Sequence, residues 1–194
     1  MYTFSFPTYQ STRSSLGLAA SKSFLSPNTS LSLPYEGTDQ TVANMIKLAK
    51  DAQGDIRLRQ FLEKLCRNLR PKDYLSEYAA VFYWSMANLR YMRDPRNVEL
   101  VRHPASIIRR FKVGGFDCDD ISTFLAACLS SLGGNCRIIT VGFKGNGSLT
   151  HVLSAVEHPK FNGKYVILDP VAGGHVATRN MLKRVTNAVV YEMA

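Results

Sequence analysis

The spacing of apolar residues changes from helix-like to strand-like in the second half of this chain, and that change constrains the fold more than any other feature. From Thr38 to residue 132, apolar residues recur three and four positions apart, which predicts helices. Three strand-like runs then follow, separated by turn-forming segments: CRIITVGF (136–143), HVLSAVEH (151–158) and KYVILDP (164–170). Helices first and an antiparallel sheet second define an α+β domain.

Residues 37–113 are predicted to form the helical part of the domain, as several helices separated by glycines and prolines. One helix begins near Thr38, a second follows Gly54, and a third is capped by Asp73 and extends to about residue 91. The aromatic residues of the third helix (Tyr74, Tyr78, Phe82, Tyr83, Trp84) could form a core or a surface for stacking bases. RNA-binding motifs are missing, so core packing is the favoured interpretation.

Residues 1–36 differ in composition from the rest of the chain. They are rich in Ser and Thr and hold one acid, Glu36, which predicts an extended arm. Either a neighbouring subunit or the chain's own domain could hold such an arm. The remaining residues, 37–194, are expected to form a single domain, helical over 37–113 and helix plus sheet over 114–194.

Lys and Arg outnumber Asp and Glu by 24 to 15, which gives a net charge of +9 and suggests an anionic neighbour. For the cluster Arg109, Arg110 and Lys112, a solvated helix face is the favoured interpretation. Nucleic acid, an anionic cell-wall polymer and an acidic protein surface are the alternatives. No apolar run approaches the roughly 18 residues of a membrane span, and the N-terminus does not resemble a secretion signal. We therefore expect a cytoplasmic protein without a membrane span.

The four cysteines follow no metal-binding or disulfide spacing, which favours folding in a reducing compartment. Cys66, Cys128 and Cys136 fall on apolar stripes or runs and are predicted to be core residues. Cys118 differs, because it stands among Asp117, Asp119 and Asp120 at the predicted start of a helix. There, the unpaired N–H groups and the helix dipole are expected to lower the pKa of the thiol, while the neighbouring carboxylates oppose this and act as caps.

The predicted topology brings a base and a carboxylate toward Cys118. His151 begins the second strand and Asp169 closes the third, so antiparallel pairing places the two at one edge of the sheet. Cys118, His151 and Asp169 would then form a nucleophile–base–carboxylate triad. Asn97 is a candidate donor to an oxyanion beside the Cys118 N–H, and His175 a candidate substrate contact. A metal site of Cys118, Asp119, Asp120 and His151 is the alternative, although adjacent helix residues point in different directions.

The segments FDCDDISTFLAACLSSLGGNCRIITVGF, THVLSAVE and KYVILDPVAG together resemble the transglutaminase-like core of the papain-like thiol enzymes. Upstream, YMRDPRNVELVRHPASIIRRFKVGG is similar to phage-encoded members. The resemblance covers residues 114–173. It implies Cys118 as the nucleophile, His151 as general base and acid, Asp169 as the orienting carboxylate, and a helix packed on an antiparallel sheet.

Two functions of different class follow as expectations. The first is a thiol enzyme that acts on amide or isopeptide bonds of a protein or peptide, by hydrolysis or by transfer to an amine, without a cofactor or metal. The second is a phage structural or assembly protein that uses the same fold as a binding module and contacts other virion subunits through the arm of residues 1–36. The resemblance places either protein in the host cytoplasm or on a virion.

Overall fold

The structure is a computed structural model that describes residues 3–4, 30–33, 37–95 and 99–193, with side chains over 37–95 and 100–193. The helices within these residues are α1 (Thr38–Ala52), α2 (Ile56–Cys66), α3 (Tyr74–Asn88), α4 (Pro104–Arg110), α5 (Cys118–Ser131) and α6 (His175–Leu182). The strands are β1 (Thr3–Phe4), β2 (Ser30–Leu33), β3 (Glu99–Arg102), β4 (Cys136–Gly142), β5 (His151–Glu157), β6 (Tyr165–Leu168) and β7 (Asn187–Glu192).

The larger sheet is antiparallel, with strand order β1-β6-β5-β4-β7. Its centre is formed by the three predicted strands, which pair as consecutive hairpins: Val141 lies opposite His151 and Ser154 opposite Leu168. Strands β2 and β3 form a separate antiparallel pair. The predicted α+β class, helices followed by an antiparallel sheet, is confirmed.

Apolar side chains cover both faces of the larger sheet. One face packs against the helices in the main core, which includes Ile138, Val152 and Val156 from the sheet and Phe124 and Leu125 from α5. Alternate strand residues form a second cluster on the opposite face, where Met181 and Leu182 of α6 pack (Ile139, Val141, Leu153, Ala155, Tyr165, Ile167). Because both faces of the sheet are covered, apolar residues predominate in the central strands and do not simply alternate with polar ones.

The helices begin where the sequence places a cap. Asp55 accepts a hydrogen bond from the N–H of Arg57 at 2.7 Å, and Asp73 accepts one from the hydroxyl of Ser76 at 2.7 Å. The third helix ends at Asn88 rather than near residue 91, because Leu89 adopts an extended conformation. Sequence reasoning assigned neither β3, α6 nor β7. None of the described helices is both long and apolar enough to cross a bilayer.

Two short stretches of the predicted arm are described, and both pair with strands of the same chain. Thr3 lies opposite Val166 of β6, and Ser30 lies opposite Arg102 of β3. The rest of residues 1–36 lies outside the described residues. The division into an arm and a domain at residue 36 stays a prediction.

Candidate active site

Cys118 is the first residue of α5, as the sequence predicts. Asp117 precedes it as the N-cap, and a carboxylate oxygen of Asp117 accepts a hydrogen bond from the N–H of Asp120 at 3.3 Å. The side chain of Cys118 is half-buried against the main core. The thiol therefore sits at the end of a capped helix, partly open to solvent.

Two serine hydroxyls fix α5 against the strand that carries His151. Ser122, one turn beyond Cys118, donates to the carbonyl of Val152 at 3.1 Å, and Ser154 donates to the carbonyl of Ser122 at 2.8 Å. Both serines are buried, where a hydrogen bond is costly to lose. On the same face of the helix, the sulfur of Cys118 accepts a hydrogen bond from the backbone N–H of Val152. The sulfur thus lies beside the residue that follows His151.

His151 and Asp169 are brought together by the hairpin of β5 and β6. The Nε2 of His151 lies 2.7 Å from the Oδ2 of Asp169. The other carboxylate oxygen of Asp169 accepts hydrogen bonds from the N–H groups of Val171 and Ala172, at 3.0 and 3.2 Å. With only 2% of Asp169 exposed, the carboxylate is fixed by three partners.

The contact with Asp169 decides which nitrogen of His151 can accept a proton. A carboxylate accepts hydrogen bonds, so the neutral imidazole carries its proton on Nε2 and donates it to Asp169. The nitrogen with a free lone pair is then Nδ1. A direct approach of this atom to the Cys118 sulfur, within about 4 Å, stays a prediction.

The expectation that Cys118 has a lowered pKa at the helix N-terminus is wrong. Burial raises the pKa of this thiol to about 12, and the charges of Asp119 and Asp117 raise it further. Hydrogen bonds from the backbone N–H groups of Val152 and of Cys118 itself favour the thiolate but do not outweigh burial. By itself, Cys118 is therefore a neutral thiol at neutral pH and needs a base to become a nucleophile.

Sequence reasoning missed Tyr91, which borders the site. Its backbone lies beside Phe116, two residues before Cys118: the N–H of Met92 donates to the Phe116 carbonyl at 2.9 Å. The approach is so close that a Cβ atom on Gly115 would lie 2.5 Å from the Cβ of Met92. Burial raises the pKa of Tyr91, and the nearby Cys118 and Asp117 add to this, while a hydrogen bond from Arg93 opposes it.

The carboxylate of Asp120, two residues after Cys118, is hydrogen-bonded within the protein. Both oxygens of Asp120 bond to Arg102, one to its N–H at 2.7 Å and one to its guanidinium. Burial and the charge of Asp117 raise the pKa of Asp120 to about 7 against the opposing effect of Arg102. Over residues 37–95 and 100–193, no three His, Cys, Asp or Glu side chains are grouped so as to hold a metal ion. The alternative metal site of Cys118, Asp119, Asp120 and His151 is therefore not assembled.

The remaining candidates either make other contacts or lie outside the described residues. His175 begins α6 and stacks on the ring of Phe82 at 4.7 Å, and burial lowers its pKa. Asn97 lies outside the described residues. Cys128 and Cys136 are buried as predicted, whereas Cys66, the last residue of α2, is only half-buried.

The comparisons with known proteins leave the family open. No family model matches this chain, and no curated protein does. A candidate protease from Parabacteroides distasonis superposes with a TM-score of 0.49 and 14% identity over 66% of this chain. A candidate cysteine protease from Cytophaga hutchinsonii gives 0.49 and 16% over 82% of this chain. The matches span 26% and 54% of those two chains, and likeness at this level assigns neither family nor activity here.

Proposed function

We propose that this protein is a thiol enzyme that cleaves or transfers amide bonds through an acyl-enzyme on Cys118. The observation that carries the proposal is the 2.7 Å contact between His151 and Asp169, at the strand edge against which the first turn of α5 is fixed. A buried carboxylate that orients an imidazole supports the proposal, because acyl transfer by a thiol or hydroxyl requires such a pair within reach of the nucleophile.

In the first half of the reaction, the Cys118 sulfur attacks the carbonyl carbon of the amide. Its proton passes to Nδ1 of His151, whose other nitrogen donates to Asp169. The backbone N–H of Cys118 is the available donor to the oxyanion. The C–N bond then breaks, the leaving amine takes the proton from His151, and a thioester remains on Cys118.

In the second half, water or an amine attacks the thioester carbon and gives its proton to His151. The C–S bond breaks, and His151 returns the proton to the sulfur. Water yields hydrolysis and an amine yields transamidation. Because the pKa of Cys118 is raised to about 12, His151 must remove the thiol proton during attack, as a general base does in a serine enzyme.

The substrate proposed is a protein or peptide. A phage origin, a role on the virion and the transglutaminase-like family are proposals that rest on the sequence resemblance alone. The second candidate function is a binding module that retains the fold. The raised pKa of Cys118 favours it, because a thiol that is neutral at pH 7 also suits a protein with no catalysis to perform.

Four variants test the enzyme, with casein as the acyl donor and either water or a fluorescent primary amine as the acceptor. Cys118→Ala and His151→Ala should each reduce turnover at least about a thousandfold, and Asp169→Asn should cost less because nucleophile and base remain. The control, Cys128→Ala, changes a buried cysteine of the same helix and should leave turnover intact while lowering the unfolding free energy by about 1 kcal/mol. Equal turnover in wild type and Cys118→Ala would favour the binding module.

A further inference from the structure

We propose that Arg102 is a positioning residue for Cys118, holding the first turn of α5 and the neighbouring segment 91–95 in register with each other. The proposal rests on the proposed role of Cys118 as the nucleophile. It assigns a task to a buried charge cluster that the acyl-transfer steps themselves do not use.

The first contact of Arg102 is with the helix that carries the nucleophile. Asp120, two residues after Cys118, is fully buried and takes hydrogen bonds from both the backbone N–H and the guanidinium of Arg102. Asp120 also donates its own N–H to the cap Asp117. A shift of the Arg102 side chain therefore displaces the residues on both sides of Cys118.

The second contact is with the segment beside the site. The guanidinium of Arg102 lies 3.7 Å from a carboxylate oxygen of Asp94, and the other oxygen of Asp94 accepts the N–H of Leu100 at 2.5 Å. Asp94 belongs to the segment that begins at Tyr91, whose backbone lies beside Phe116, two residues before Cys118. The side chain of Arg102 thus links the segment 91–95, which borders the site, to the helix that carries Cys118.

The third contact is with the residue that leads into α5. The guanidinium lies 5.9 Å from the ring centroid of Phe116, which is fully buried and bonds to the backbone of Arg90 and Met92. Only 14% of the Arg102 side chain is exposed. Its planar group serves two carboxylates and a ring at once, which the ammonium of a lysine cannot do.

The test compares Arg102→Gln and Arg102→Lys with Arg137→Gln in the full chain. Arg137 is a matched control because it pairs with Glu192 at 2.7 Å and stacks on Tyr165 at 3.9 Å, in contacts with β6 and β7. Iodoacetamide modification is followed at each cysteine by mass spectrometry at 25 °C and pH 7.5, together with the melting temperature. General loosening of the fold would expose the buried Cys128 and Cys136, whereas lost positioning would affect Cys118 alone.

We expect both Arg102 variants to slow modification of Cys118 by about tenfold or more, since small displacements of a reacting group are costly. Arg102→Lys should not restore the modification rate of Cys118, and Cys128 and Cys136 should stay protected from iodoacetamide in both variants. In Arg137→Gln, Cys118 should react at the wild-type rate. Unchanged modification of Cys118, or slower modification accompanied by exposure of Cys128 and Cys136, overturns the proposal. Failure of the proposed function appears separately, as absence of Cys118-dependent turnover on casein in the wild-type protein.

Discussion

The thiol of Cys118 is subject to opposing influences from the residues around it. The backbone N–H groups of Cys118 and Val152 favour the thiolate, while burial and the carboxylates of Asp117 and Asp119 favour the thiol. Burial prevails, because removing a charge from water costs more than a few backbone dipoles return. The proposed mechanism therefore depends on His151 to take the proton.

A pH series on His151→Ala measures this balance. With the base removed, only thiolate formed in bulk solution can react, and a pKa near 12 keeps Cys118 protonated until the pH is high. Because the pKa of Cys118 is raised, the thiolate fraction stays small and the modification rate should rise about tenfold per pH unit from pH 7 to pH 10. An ordinary thiol, with a pKa near 8.5, would instead reach a constant rate within this range. Iodoacetamide modification of Cys118 gives the rate. A plateau by pH 9 would show that the helix N-terminus dominates after all.

Sequence alone located the residues of the candidate site but not their electrostatics. Cys118, His151 and Asp169 could be found because each lies at the end of a helix or strand whose pattern is clear. The pKa of Cys118 could not be predicted, since burial is a property of the packed structure. The cluster of Arg102, Asp94 and Asp120 was missed for a related reason: its members lie 8 and 18 positions from Arg102 and share no motif.

At the scale of elements, the register between α5 and β5 determines where Cys118 lies. The reciprocal hydrogen bonds of Ser122 and Ser154 join the two elements one turn from Cys118. Helix α5 and strands β4 to β6 could be predicted because their apolar patterns are long and regular. The N-cap of helix α6 is Gly174, which makes no side-chain cap, and β7 is only partly buried, so neither element offers a strong signal.

The link between α5 and β5 can be tested with two serines of the same helix. Ser122→Ala should lower the unfolding free energy by about 1 kcal/mol and also reduce kcat/KM, because the helix gains freedom to slide on the strand. Ser131→Ala is the control: its hydroxyl donates to the carbonyl of Ala127 at 2.8 Å, at the far end of α5. Urea unfolding and casein turnover provide the two readings. If both variants lose stability equally and neither loses activity, this register does not determine the site.

At the scale of the whole molecule, helices lie on one face of a sheet whose opposite face is also covered. This layering follows from the order of the patterns in the sequence, helical before strand-like. The pairing of β2 with β3 does not follow, because the segments around residues 30 and 100 are short and far apart in the sequence. That pairing matters here because β3 ends in Arg102.

Deletion of residues 1–36 should therefore affect the domain itself. Strand β3 would lose its partner β2, and Arg102 its support, so we expect the melting temperature to fall by about 4 °C or more and Cys118 to react more slowly. Deletion of residues 1–29 retains β2 and should cost less. Differential scanning calorimetry of both truncations gives the comparison. An unchanged melting temperature after removal of residues 1–36 would instead indicate an arm that serves another subunit.

The central claim is that the surroundings of Cys118 make it a nucleophile. A second cysteine of the same chain, Cys66, provides the thiol with which its reactivity can be compared. Cys66 and Cys118 are both half-buried free thiols, but Cys66 is the last residue of α2 whereas Cys118 is the first residue of α5. The measurement is a competition for limiting iodoacetamide at pH 7.5 in the native protein, resolved by mass spectrometry of the two peptides. We predict that Cys118 reacts first by about tenfold or more, and that His151→Ala reverses the order. Earlier reaction of Cys66 in the wild type, unchanged by His151→Ala, would contradict the account.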